Sequence, residues 1–275
     1  MSFEAAKARH KLAWGMGVEG YAKHSIAELA PVADRLVEIA DPPWDGSVID
    51  IGCGPGTATL RAALRVGPGG HVLGVDLAPQ MVAWAERRAQ AEHLPQVRFL
   101  EGDAEALEGV DDAKYDVAIS NFGVIFAPDG ARMVGTVARV LKPGGVFAFS
   151  TWIERGIAIE QNEFLAAILP LSPEGSTLRD SWGDPDVARE RMAPHFDDVS
   201  FTEVDVACDF VSVDDAWTRM RDGRPPFALA YGRMAVHQKQ EVEEKARELF
   251  RRHADEDGRV HYVRNAAVVR GIGRA

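Results

Sequence analysis

Residues 48–56 read VIDIGCGPG, an apolar run that ends in three glycines within five positions. A short, unbroken apolar run of this kind predicts a strand buried on both faces. The glycines after it let a ligand approach the main chain, because no Cβ stands in the way and backbone N–H groups can point at it. TATLRAALRV (57–66) then reads as a helix closed by GPGG (67–70). HVLGVD (71–76) is a second strand, followed by the helix PQMVAWAERRAQAEH (79–93) with Pro79 in its first turn. VRFLEGD (97–103) and YDVAISNFG (115–123) are the third and fourth strands. RMVGTVARVL (132–141) is a helix, KPGG a turn and VFAFSTW (146–152) the fifth strand. Strand and helix alternating at this spacing predict a parallel sheet covered on both faces.

The rhythm stops after Trp152. Residues 156–195 carry helical pieces broken by Pro170, Pro173, Pro185 and Pro194. VSFTEVDV (199–206) alternates like a strand, HQKQEVEEKARELFRRHA (237–254) is an amphipathic helix, and HYVRNAAVVRGIG (261–273) supplies the last strand. SIAELAPVADRLVEIA (25–40) is a helix ahead of the break at DPPWDG. The expectation is one α/β domain over 1–275, a doubly wound, Rossmann-like, mostly parallel seven-stranded sheet. Residues 1–45 form an N-terminal helical lid and 46–155 the ligand-binding core. Residues 156–275 supply cap insertions after strands five and six together with the last two strands.

The formal net charge of −11 argues against a general nucleic-acid surface, which needs clustered Lys and Arg. The nearest basic cluster, RRH at 251–253, continues a helix of mixed charge. No apolar run approaches the ~20 residues of a membrane span, and MSFEAAKARHKLAW lacks the apolar region of a secretory signal. Cys53 and Cys208 form neither a metal spacing nor a disulfide framework, so a reducing cytoplasm is the expected compartment and no metal is expected.

The glycine loop by itself fits a dinucleotide, a nucleoside or a phosphate. The dinucleotide fingerprint G-x-G-x-x-G/A, counted from Gly52, meets Thr57 where its third small residue belongs, and no lysine follows to make a P-loop. Asp76 ends strand two, where a carboxylate can accept from both hydroxyls of a ribose. Asp103 ends strand three, where it can accept from an exocyclic amine. Each alone is an ordinary turn or helix cap. In order on successive strand ends, they fit adenosine with a short tail.

With these residues in view, the sequence resembles the class I S-adenosylmethionine-dependent methyltransferases. DIGCGPG is similar to their first motif, GVDLAPQM to the ribose-binding segment and EGDAE to the adenine-binding segment. YDVAISNFGVIFAPD and LKPGGVFAFSTW resemble the segments around strands four and five, and HKLAWGMGVEGY (10–21) the leader of the UbiE-like small-molecule subgroup. The match runs in order from about residue 46 to 155. The resemblance implies S-adenosylmethionine as cofactor, with Gly52, Gly54 and Gly56 along its methionine end and Asp50 fixing the loop. It implies Asp76 on the ribose, Leu77 and Met81 beside the adenosine, and Asp103 and Ala104 at the adenine edge. Asn121 and Phe122 would lie beneath the methionine portion, and Tyr21, with Trp14, would close over the site. Cys53 stands where the family often has a small residue and reads as packing, with no basic neighbour to lower its pKa.

Transfer of an activated sulfonium methyl requires in-line placement at roughly 3–3.5 Å and exclusion of water. A base is needed only if the acceptor arrives protonated. His10, His24 and His195 are candidates, none distinguished by its sequence surroundings. The acceptor is expected to be a small, partly apolar organic molecule, methylated on oxygen, nitrogen or carbon. This follows from aromatic-rich covering segments containing Trp14, Phe122, Phe126, Trp152, Phe164, Leu165, Trp182, Trp217 and Phe227. The alternatives are an NAD-dependent oxidoreductase on a similar sheet and an S-adenosylmethionine-binding protein that transfers nothing.

Overall fold

In the computed structural model, which describes residues 3–168 and 182–274, β1 (Ser47–Ile51) is the strand that precedes the glycine loop. Val48 packs into one hydrophobic cluster, Ile49 and Ile51 into another, so the unbroken apolar run serves two faces at once. β1 pairs in parallel with β2 (His71–Asp76) on one side and β4 (Tyr115–Asn121) on the other. β3 (Val97–Glu101) adds outside β2, and β5 (Leu141–Trp152) outside β4, both in parallel. Two long antiparallel strands complete the sheet, β7 (Val260–Gly273) against β5 and β6 (Phe196–Phe210) against β7. The order is β3-β2-β1-β4-β5-β7-β6, the mostly parallel seven-stranded sheet the sequence predicts. It reverses between β1 and β4, and the crevice at such a switch point is where open α/β sheets bind ligands.

Helices α1 (Phe3–Met16), α2 (Val18–His24) and α3 (Ile26–Ala40) precede the sheet. Helices α4 (Thr57–Val66), α5 (Pro79–Ala91) and α6 (Gly130–Val140) link the parallel strands. Leu36, Val37 and Ala40 of α3 and Leu60 and Ala63 of α4 cover one face, and Met133, Val134 and Val137 of α6 the other. α7 (Ile157–Ala166) and α8 (Pro185–Met192) stand between β5 and β6. α9 (Val213–Asp222), α10 (Pro225–Gly232) and α11 (Val236–Arg251) stand between β6 and β7, so the insertions follow strands five and six as expected. Pro185 opens α8, with Asp184 capping it; Pro170 and Pro173 lie outside the described residues.

Two expectations need correction. KPGG is extended and belongs to β5, because Tyr115 pairs with Leu141 and the register then slips before Val117 pairs with Val146. The extra residues bulge, with Gly144 at a φ of +75°. The last strands are also longer than their alternation suggests, since β6 and β7 pair along thirteen positions, from Phe196↔Gly273 to Phe210↔Val260. No helix among the described residues is long and apolar enough to cross a membrane.

Candidate functional site

The chain leaves β1 through Gly52 and Gly54, both at positive φ (+67° and +53°), and leaves β4 through Phe122 and Gly123. These two exits cross in contact. A Cβ on Gly52 would lie 2.7 Å from the Gly123 Cα, and one on Gly123 would lie 2.6 Å from the Gly52 carbonyl oxygen. Gly54 differs: a Cβ there would meet nothing within 4 Å. Its missing side chain leaves open room rather than relieving a contact. Phe122 holds φ +60°, a left-handed conformation that is uncommon for an aromatic residue and that turns the chain under the glycine loop. Its N–H donates to Ser150 Oγ at 2.9 Å, and that hydroxyl donates to Asn121 Oδ1 at 2.9 Å.

A cavity of about 210 Å³ opens at this crossing. Ten of the twelve sequence-predicted cofactor residues line it: Tyr21, Gly52, Gly54, Asp76, Leu77, Met81, Asp103, Ala104, Asn121 and Phe122. Asp50 and Gly56 do not. Asp50 is wholly buried behind the loop, where Thr59 Oγ1 of α4 donates to its Oδ2 at 2.6 Å, which ties β1 to the helix and fits a loop-fixing role. Burial pushes its carboxyl up to about 7. Gly56, expected along the methionine end, is instead the residue before α4, at φ +81°, and a Cβ there would press on Ala85 at 3.2 Å. There it serves helix packing and stands outside the cavity lining.

Asp76 accepts from Gly54 N at 2.8 Å through Oδ2 and from Ala78 N at 2.9 Å through Oδ1. Burial raises its pKa, and the two backbone donors oppose the shift. A carboxylate has about four acceptor sites, so two main-chain bonds leave capacity facing the cavity. Asp103 accepts from Glu105 N at 2.9 Å and from the Lys7 ammonium at 2.7 Å. Lys7 also meets Glu105 Oε2 at 2.6 Å. Burial acts to lower the Lys7 pKa, but its bonds to Asp103 and Glu105 outweigh that and hold it above the usual lysine range. Lys7 is a site residue that the sequence reading missed. The hint available was EGDAE, three carboxylates within five positions and no cation among them.

From the N-terminal helices, His10, Trp14 and Tyr21 form a wall of the cavity. Trp14 makes edge contacts with Tyr21 and Phe126 at 5.3 and 5.4 Å between centroids. Burial pushes the Tyr21 phenol up, with help from Glu28 and Asp76, so it stays protonated. Of the three candidate histidines, only His10 lines the cavity; His24 and His195 do not. Of the nine covering residues, Trp14, Phe122, Phe126, Trp152, Leu165 and Phe227 line it as well. Trp182 and Trp217 are buried in the core, and Phe164 packs against it. Burial holds the Cys53 thiol well above its usual pKa, which agrees with a packing role. No metal-ligating cluster occurs among the described residues.

Residues 48–145 match a family described as a methyltransferase domain. The chain is 33% identical over 135 residues to aklanonic acid methyltransferase DauC of Streptomyces sp. (strain C5), covering 49% of this chain and 61% of that protein. It is 34% identical over 142 residues to an arsenite methyltransferase of Halobacterium salinarum, covering 49% of this chain and 36% of that one. The chain thus matches less than two thirds of the length of either relative. In fold it is similar to the YcgJ protein of Bacillus subtilis, with a TM-score of 0.59, 21% identity, and coverage of 88% of this chain and 98% of that chain.

Proposed function

We propose that the chain is a class I S-adenosylmethionine-dependent methyltransferase and that it transfers a methyl group to a small, partly apolar organic acceptor bound in the cavity over β1, β4 and β5. The observation that carries this reading is the convergence of Gly54, Asp76 and Asp103 on one cavity at the carboxyl ends of β1, β2 and β3. The open side of Gly54 is a cradle that a Cβ would occupy, and Asp76 keeps acceptor capacity beside it. Both features fit an adenosyl group with an amino-acid tail. When bound, the cofactor supplies an activated sulfonium methyl group.

The chain's own residues do the rest by position. Asp76 accepts from the ribose hydroxyls, Asp103 and Ala104 meet the adenine edge, and Leu77 and Met81 pack the adenosine. Gly52, Gly54, Asn121 and Phe122 hold the methionine end, and Tyr21 donates from above. Trp14, Phe126 and Phe227 exclude water and bring the acceptor into line, which is where most of the rate gain arises for a group already activated. His10, lining the same cavity, takes the proton of an acceptor that arrives protonated. The similar aklanonic acid methyltransferase is likewise named for a small-molecule acceptor.

Calorimetry with S-adenosylhomocysteine and with NAD tests the cofactor. Binding of the first and not the second is expected, and the reverse overturns the reading. Incubation with metabolite extracts, followed by mass spectrometry for a gain of one methyl group and for S-adenosylhomocysteine, tests transfer. Methylated tRNA or DNA as the sole product would overturn the small-molecule acceptor.

A further inference from the structure

The cavity has two ends. Asp76 stands at the end of β2 and Asp103 just beyond β3, whereas Glu28 on α3 and Arg264 on β7 line the other end. The strand order separates β2 from β7 by β1, β4 and β5, about 19 Å at the usual strand spacing. Beyond the effect of burial, both Glu28 and Asp76 hold the Tyr21 phenol up, so one wall of the cavity serves both ends.

Arg264 is 8% exposed, and its guanidinium carbon lies 3.5 Å from the centroid of the Trp152 ring. Phe122 stacks on the same indole with centroids 4.2 Å apart and planes inclined by 17°. At those distances the two cannot share a face of the indole, so Trp152 separates Arg264 from Phe122. Glu28 meets Arg264 loosely, with Oε1 3.5 Å from Nη1, where a charge-assisted bond usually spans about 2.7–2.9 Å. The other contact of Oε1 is the Cys208 thiol, a weak donor, at 3.7 Å. Glu28 Oε2 takes no hydrogen bond or ion pair among the described residues. The other acids lining the cavity differ. Asp76 is held at 2.8 and 2.9 Å and Asp103 at 2.7 and 2.9 Å. Glu28 is therefore the cavity carboxylate with the most acceptor capacity left, and it stands beside a guanidinium that has donors to spare.

Resting on the cofactor reading above, we propose that the acceptor carries a hydroxyl group, set apart from the atom that is methylated, and that Glu28 and Arg264 bind this hydroxyl together. It donates to Glu28 Oε2 and accepts from the Arg264 guanidinium. An open carboxylate–guanidinium pair asks for one group that both donates and accepts. An ammonium would gain Glu28 but be repelled by Arg264, and a carboxylate would gain Arg264 but be repelled by Glu28. A neutral hydroxyl satisfies both, in the place that a bridging water would otherwise take across so long a contact. A site of this kind discriminates strongly, because an acceptor without the hydroxyl leaves its polar groups unpaired. Trp152, standing between Arg264 and Phe122, keeps the anchored group away from the methionine end.

The test uses the full chain saturated with S-adenosylhomocysteine and titrated calorimetrically with primary alcohols on naphthyl, adamantyl and phenylbutyl frames. Each is matched with its methyl ether, its amine and its carboxylic acid. At least one alcohol is expected to bind about tenfold or more tighter than its ether, as a hydrogen bond to a charged group requires, and tighter than its amine and its acid. Glu28→Ala should erase the preference for alcohol over ether while leaving S-adenosylhomocysteine affinity within about twofold. If this variant does not fold, Glu28→Gln replaces it. It keeps an acceptor oxygen without the charge and should cut a tenfold preference to about threefold, since the bond loses about half its strength. The alcohol–ether comparison on the unaltered chain stands in either case. Equal or absent binding of alcohol and ether on every frame, tighter binding of the amine or the acid, or a preference unchanged in the Glu28 variant overturns this proposal alone. Failure of S-adenosylhomocysteine to bind at all overturns the cofactor reading, and this proposal with it.

Discussion

The Lys7 ammonium on α1 lies 2.7 Å from Asp103 Oδ2, just beyond the end of β3, joining the N-terminal helix to the cavity's edge over that strand. Glu105, only 2% exposed, shares the same cation at 2.6 Å. Removing one partner of a buried pair leaves the other charge uncompensated. Lys7→Met should therefore lower stability by about 2–4 kcal/mol, the low side of the range for fully buried pairs, because Asp103 is partly exposed. The folded-state pKa of Lys7 is raised, so its contribution is complete below the unfolded value near ~10.4 and is lost only as pH rises past the folded one. Urea titrations of both proteins at pH 6 and pH 9 should thus show the same deficit; a deficit confined to one pH would contradict the pairing.

Asp76 has two duties, since its oxygens already fix Gly54 N and Ala78 N. Asp76→Ala should weaken S-adenosylhomocysteine binding by roughly 1.5–3 kcal/mol, the range for hydrogen bonds to a charged group. Asp76→Asn keeps one acceptor oxygen and should fall between it and the unaltered chain. Calorimetry giving all three proteins equal affinity in a folded state would remove Asp76 from the ribose site.

Gly54 and Gly123 should lose stability to alanine for different reasons, and the Gly54 change should also strike the cofactor. At Gly54 the new methyl meets no protein atom within 4 Å but stands in the cradle at φ +53°. The expected result is a folded chain about 1–2 kcal/mol less stable, from the left-handed backbone, with cofactor affinity reduced about tenfold. At Gly123 the methyl would lie 2.6 and 2.7 Å from the carbonyl oxygens of Gly52 and Ile51. Overpacking there should cost at least about 1–3 kcal/mol of stability. Thermal melts alongside binding curves check both, and a Gly54→Ala chain with full affinity would be inconsistent with the cradle.

Asp50 gives the chain a pH dependence of unusual sign. Its carboxyl is raised to about 7 in the folded state by burial, against roughly 3.9 unfolded. Between those values the folded chain binds a proton that the unfolded chain does not, so stability falls as pH rises. The contribution is complete below about pH 4 and gone above about pH 7, with a slope of at most about 1.4 kcal/mol per pH unit for one proton. Asp50→Asn retains an oxygen to accept from Thr59 and should flatten this slope. Urea midpoints at pH 5, 6, 7 and 8 test it, and parallel slopes for the two proteins would exclude Asp50 as the source.

The sequence disclosed what is local and hid what is assembled. The strands up to β5 and the places of Asp76 and Asp103 at strand ends were legible because two-sided burial and strand-end position are written into a few adjacent residues. Lys7 was not, because its partner is 96 residues away and α1 has no strong apolar face to orient it. Arg264 and Trp152 belong to β7 and β5, and nothing in RNAAVV or FSTW announces that they stack. The extended KPGG escaped for a related reason. Pro-Gly-Gly signals a turn locally, and pairing of Tyr115 with Leu141 overrides it.

Gly15, Gly17 and Gly20 are the instructive middle case, and they lead to the last prediction. Three glycines among aromatics are what a hinged segment would carry, but the structure gives them another reason. A Cβ on each would lie 2.3 Å from Gln80, 2.5 Å from Pro225 and 2.4 Å from the Asp222 carbonyl oxygen, respectively. They let α1 and α2 sit tightly on α5, α9 and the start of α10, with Ser25 Oγ adding a bond to Gly223 O at 2.8 Å. The same helices bring His10, Trp14 and Tyr21 into the cavity wall, where they would cover a bound ligand. The segment should therefore act as a cover that closes by packing rather than one that bends at glycines. Gly20→Ala forces α2 away from the Asp222 carbonyl and should leave the sheet intact while turnover falls about tenfold, which corresponds to about 1.4 kcal/mol in the barrier. Hydrogen exchange across residues 10–24 should slow when S-adenosylhomocysteine binds, and Gly20→Ala should lose most of that slowing. Exchange that is already slow without ligand and unchanged on binding would make the segment fixed structure. An alanine variant with full turnover would then remove the cover from the catalytic cycle.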